Sequence, residues 1–70
     1  MRVELDRQKL KKLRIQNRLT QEELAELSNI SDRHLRNLET LETMPSAKVL
    51  FSICQVLNVT MDELMVADSD

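Results

Sequence analysis

Five polar side chains stand close together in this sequence, Asp32, Arg33, His34, Arg36 and Asn37, and they are its densest concentration of chemistry. Arg33 carries a planar fork of donors, Asn37 offers a donor and an acceptor together, and an ionised Asp32 can only accept. That is the chemistry of recognition rather than of bond making. The chain has no candidate pair of nucleophile and base, no phosphate loop and no metal cluster, so neither catalysis nor a cofactor is expected. His34, the single histidine, lacks a Cys or His partner at ligand spacing, which leaves no metal site. The single Cys54 sits in an apolar run and is expected as a buried small hydrophobe without an internal disulfide.

The elements that position these side chains follow from caps and apolar spacing. Leu35 and Leu38 predict a helix over about Asp32 to Thr40, capped by Ser31, with the five polar residues outward. Before it, Thr20 and Glu23 form a capping box for a helix over about Gln21 to Ser28. Asn29, a residue that tolerates the left-handed conformation, is expected to end that helix sharply. Ala25 would then be the small residue at a close crossing of the two helices.

Upstream, Asp6 is a plausible cap for a helix to about Asn17, with Leu10 and Leu13 inward and Lys9, Lys11, Lys12 and Arg18 outward. Downstream, Pro45 and Ser46 introduce a core helix over about Ala47 to Leu57. Asn58 ends it, and Thr60 with Glu63 predicts a last short helix over about Met61 to Met65, with Met61 in the core. Residues 1–5 fit an arm, a short strand or a helix start, and 66–70 read as an acidic, frayed tail.

Composition narrows the class. Good helix formers dominate, glycine is absent and Phe51 is the lone aromatic, which points to an all-α fold in one domain spanning 1–70. A chain this short buries only about 60% of its unfolded surface. No apolar run approaches the roughly 20 residues of a membrane span and no signal peptide is visible, so a cytoplasmic protein without a membrane partner is expected. The net charge of −2 conceals a gradient: residues 1–18 hold seven basic and two acidic side chains, whereas 39–70 hold one basic and six acidic. Such a bipolar chain can present a basic face to phosphates, because screening limits each charge to about 8 to 10 Å.

With Gln21 as the first position, Ala25 is the fifth, Asn29 the ninth, Leu35 the fifteenth and Leu38 the eighteenth, and the segment TQEELAELSNISDRHLRNLE resembles the helix-turn-helix of the phage repressor and Cro family. The likeness extends over about residues 10–65, through Leu13, Arg14, Leu19, Thr20 and Gln21 to the closing VTMDELM. It implies a five-helix, lambda-repressor-like domain that regulates transcription, as a repressor, by placing the helix 32–40 in the major groove of double-stranded DNA. By the same resemblance Asp32, Arg33 and Asn37 reach base edges, with guanine the natural partner of Arg33, adenine of Asn37, and a cytosine or adenine amino group of Asp32. Gln21 grips a phosphate at the amino end of its helix, and Ser31, His34, Arg36, Lys11, Ser46 and Lys48 lie at or near the DNA backbone.

The resemblance further implies an ion pair between Arg14 and Glu39 that ties the first helix to the third, and a homodimer on a palindromic operator. One departure stands out. Where the family carries a basic, glycine-containing turn after Glu39, this chain reads TLETMPS. That substitution, Asp32 and the net acidity favour a second reading, an antitoxin-like or adaptor module that keeps the fold and binds protein instead of DNA.

Overall fold

The computed structural model describes the backbone of residues 2–41 and 44–68, and the side chains of 3–41 and 44–66. Four α-helices run α1 (Arg7–Gln16), α2 (Gln21–Leu27), α3 (Asp32–Thr40) and α4 (Ala47–Leu57). A single 3-10 turn, Met61–Leu64, follows them. The ends of the described chain pair as antiparallel strands β1 (Arg2–Leu5) and β2 (Met65–Asp68).

Each helix starts where a short oxygen-bearing side chain meets the backbone. Asp6 Oδ1 accepts from Lys9 N–H, Ser31 Oγ from His34 N–H and Ser46 Oγ from Val49 N–H. Thr20 and Glu23 exchange both bonds of a capping box, at 3.1 and 2.9 Å.

Three helices end by one device, a left-handed residue followed by an N–H that reaches back five residues. Arg18, Asn29 and Asn58 all have φ 59°. Behind them Leu19 N–H donates to the Arg14 carbonyl, Ile30 N–H to Ala25 and Val59 N–H to Cys54, at 2.9 to 3.1 Å. Asn tolerates that conformation and Arg does not, so Arg18 carries most of the strain. Arg18→Gly is expected to raise stability by about 0.5 to 1 kcal/mol, since relief of the left-handed cost outweighs glycine's extra entropy. Urea denaturation checks this; an unchanged or lower midpoint would show that the turn tolerates arginine without cost.

The closing segment departs from the expected fifth helix. Glu63 Oε2 accepts from Thr60 N–H at 2.8 Å, but Glu63 N–H returns to the Thr60 carbonyl as a 3-10 turn. β2 begins at Met65, leaving too few residues for an α-helical ladder. Residues 66–68, expected as a frayed tail, instead pair with β1 in the register Arg2↔Asp68, Val3↔Ala67, Glu4↔Val66 and Leu5↔Met65. Asp6 N–H donates to the Leu64 carbonyl at 2.8 Å, carrying the strand pairing into the cap of α1. Residues 69 and 70 of that tail lie outside the described residues.

The core is mostly leucine. Leu10, Leu24, Leu35, Leu38, Ile53 and Leu64 are all but fully buried, and Leu5, Leu50, Cys54 and Leu57 extend the cluster. Burial, with Glu63 nearby, pushes the Cys54 thiol above its ordinary value, as befits a core side chain. Met61 is half buried against this core. Ala25 is 2% exposed on α2, which packs against α3, and its carbonyl accepts the Ile30 N–H in the turn between them.

Candidate nucleic-acid interface

Glu39 holds α3 in place. Its side chain is 1% exposed, and Arg14, 10% exposed, lies against it with Nε donating to Oε2 at 2.8 Å and Nη2 to Oε1 at 3.3 Å. Gln21 Nε2 donates to the same Oε1 at 3.1 Å, and Arg14 Nη1 donates to the Leu19 carbonyl at 2.9 Å. One carboxylate near the carboxyl end of α3 thereby joins α1, the loop after it and the first residue of α2. Donors surround a buried charge, the condition under which such a pair is tolerated.

Beyond Glu39, α3 ends at Thr40, and Leu41 is extended with its carbonyl accepting from Arg7 Nε on α1. The helix therefore stops without the family's glycine. Glu42 and Thr43, the rest of the altered turn, lie outside the described residues.

With Leu35 and Leu38 buried and Glu39 tied down, the remaining side chains of α3 face outward. Arg33, His34 and Arg36 are exposed, whereas Asp32 and Asn37 are half buried. Arg33 has no ion-pair partner among the described residues. Asp32 does: its Oδ2 lies 2.8 Å from Arg36 Nη2, one helical turn on. Its Oδ1 is shielded from solvent and has no hydrogen-bond partner among the described residues.

The other expected contacts lie on α1, at the start of α2, and at the starts of α3 and α4. Ser31 is exposed, with its hydroxyl oxygen engaged as the α3 cap, and Ser46 caps α4 in the same way. Lys48 lies beside the turn between α2 and α3, where it shares a shallow hollow with Ser28, Asn29 and Ile30. Lys11 is exposed on α1 beside Ile15 and Gln16. Gln21 is half buried, and one of its amide hydrogens is used by Glu39.

Two features escape a reading of residue types alone. The Asp32 and Arg36 pair is an acid followed by a base at i+4, a spacing that stabilises helices and is visible in the sequence. The Gln21 bond to Glu39 joins positions 18 residues apart and carries no local pattern. Among the described residues no group of three His, Cys, Asp or Glu side chains can hold a metal ion, and no helix is long and apolar enough to cross a membrane.

Comparison with known proteins places this architecture. A structure described as SinR, the master regulator for biofilm formation, in complex with DNA superposes with a TM-score of 0.79 at 30% identity, covering 86% of this chain and 97% of that one. Two structures of the clp gene regulator ClgR from Corynebacterium glutamicum superpose with TM-scores of 0.72 and 0.69, each at 31% identity and over 79% of this chain. This chain spans 58% of the first ClgR chain and 71% of the second. No curated protein sequence matches. The sequence profile of the HTH_3 helix-turn-helix family matches residues 10–64, and the chain belongs to that family.

Proposed function

We propose that this chain is a sequence-specific DNA-binding transcriptional regulator, acting as a repressor, whose α3 enters the major groove. The observation that carries this reading is the division of α3. One side is held by Leu35, Leu38 and the Glu39 hydrogen bonds, while the other carries Arg33, His34 and Arg36 exposed and Asn37 half buried. A rigid helix with a polar outer face is what base readout requires, because side chains that must find their geometry on binding lose affinity to ordering. The likeness to a DNA-bound regulator supports the same conclusion.

In this reading Asp32, Arg33 and Asn37 take base edges, and Gln21, Ser31, His34, Arg36, Lys11, Ser46 and Lys48 lie at or near the DNA backbone. Residues 1–70 act as one cytoplasmic domain without catalysis or cofactor. Two copies bind a palindromic operator with half-sites about one helical turn, roughly 34 Å, apart.

Arg33→Ala is expected to weaken binding to the preferred duplex by about 1 to 3 kcal/mol, to relax preference at one base pair, and to change binding to random duplex little. Selection of sites from random DNA, repeated with the variant, reads this directly. A variant selecting the same consensus as the wild type would remove Arg33 from the contact surface.

A further inference from the structure

Asp32 is the residue least suited to a groove walled by phosphates, yet one of its oxygens is paired within α3 and the other is closed off from solvent. Oδ2 meets Arg36 at 2.8 Å and Oδ1 is shielded. Only Oδ2 is left to meet a partner from outside, and Arg36 already stands against it. Arg36 remains 58% exposed while held, so its guanidinium is restrained without being covered. Side chains on a helix lean toward its amino end, and Arg36 reaching Asp32 brings its fork back over the first turn of α3. The i,i+3 and i,i+4 rows then make Asp32, Arg33, Arg36 and Asn37 one contiguous surface. The ion pair with Asp32 leaves at least four of the five N–H donors of Arg36 unused, enough for a paired contact to the O6 and N7 acceptors of guanine.

We propose that Asp32 is a positioning residue that acts through Arg36, aiming that guanidinium at a guanine edge and withholding it from the phosphates of other sequences. The inference rests on the DNA-binding reading and changes the part Asp32 plays in it. Leaving Asp32 for a phosphate strands a half-buried carboxylate with neither oxygen paired. Meeting a guanine while still paired does not. The two residues together therefore reward one base pair and penalise non-specific contact, which is discrimination by an unfavourable alternative as well as by a favourable contact.

The test is a double-mutant cycle on the full chain, with Asp32→Asn, Arg36→Gln and the double variant titrated against a selected duplex and a random duplex at several salt concentrations. A single i,i+4 pair on one helix, with its arginine exposed, adds little to folding, so all three variants keep melting temperatures near the wild type's. Asp32→Asn is expected to reduce the ratio of specific to random affinity about tenfold and to steepen the salt dependence on random duplex by about one phosphate, as Arg36 is released. In the Arg36→Gln background the same substitution should change neither quantity, and Asp32→Glu, which still reaches Arg36, should keep most of the preference. An undiminished effect of Asp32→Asn in the Arg36→Gln background would overturn the proposal, because Asp32 would then act on DNA by itself. A wild type that prefers no duplex would overturn it together with the DNA-binding reading.

Discussion

Glu39→Ala is expected to lower stability by about 3 to 5 kcal/mol, the usual result of removing one partner from a buried ion pair. The substitution leaves the Arg14 guanidinium desolvated with only the Leu19 carbonyl, and it takes the acceptor away from Gln21. A domain of this size has roughly 3 to 10 kcal/mol in total, so the variant should be largely unfolded or close to it at room temperature. Replacing Arg14 and Glu39 together with Met and Leu should recover much of the loss, since two apolar side chains need no partners. Thermal melts of the single and double variants decide the matter. If both melt near the wild type, the carboxylate is not what holds α3 against α1 and α2.

Ala25→Leu follows in size, toward the upper end of the roughly 1 to 3 kcal/mol that overpacking costs. Ala25 is buried at the meeting of α2 and α3, and its carbonyl accepts the Ile30 N–H that closes the turn between them. The helices cannot part without breaking that bond and displacing Leu24, Leu35 and Leu38 from the core. Denaturant unfolding of Ala25→Leu should show a markedly lower midpoint, whereas Ala25→Ser, nearly the same size, should cost less. Equal midpoints for wild type and Ala25→Leu would mean that the crossing has room to spare.

The helices were readable because each carries its own local signals. Thr20 with Glu23, Ser31, and Ser46 after Pro45 mark starts, where their side chains make the capping bonds, and Asn29 and Asn58 mark ends, where the backbone turns left-handed. Arg18 gives no such sign, because arginine has no preference for φ above zero; the turn imposes that conformation through the Leu19 bond to Arg14. The strand pair was not readable either. RVEL and MVAD are four residues each, too short for period-two alternation to stand out, and their pairing joins segments some 60 positions apart. It also explains why the last helical segment stays a 3-10 turn, since the chain must extend at Met65 to meet Leu5.

At the recognition surface, the outward face of α3 is legible from the spacing of Leu35 and Leu38, which leaves Arg33 and Asn37 outside whatever they contact. The internal bonds of that face are less so. Asp32 reads naturally as an acceptor for a base, and the structure adds that its Oδ2 pairs with Arg36 while its Oδ1 is shielded without a hydrogen-bond partner among the described residues. Gln21 is similar: a glutamine at the first turn of a helix suggests an anion, while the fold also uses its amide to complete the shell around Glu39. The Gln21 partner is set by packing geometry that no short pattern encodes, whereas the Asp32 partner follows from an i,i+4 spacing within one helix.

The central claim is that α3 reads sequence in DNA, and the most direct measurement is a titration of the intact chain against the duplex selected from random sequence and a scrambled duplex of equal length, at several salt concentrations. The account predicts tighter binding to the selected duplex by about a thousandfold or more, with both affinities falling as salt rises and each neutralised phosphate adding about 0.9 to the logarithmic slope. Equal affinities for the two duplexes, or no binding even at low salt, would contradict it and leave the same outward face of α3 to a protein partner.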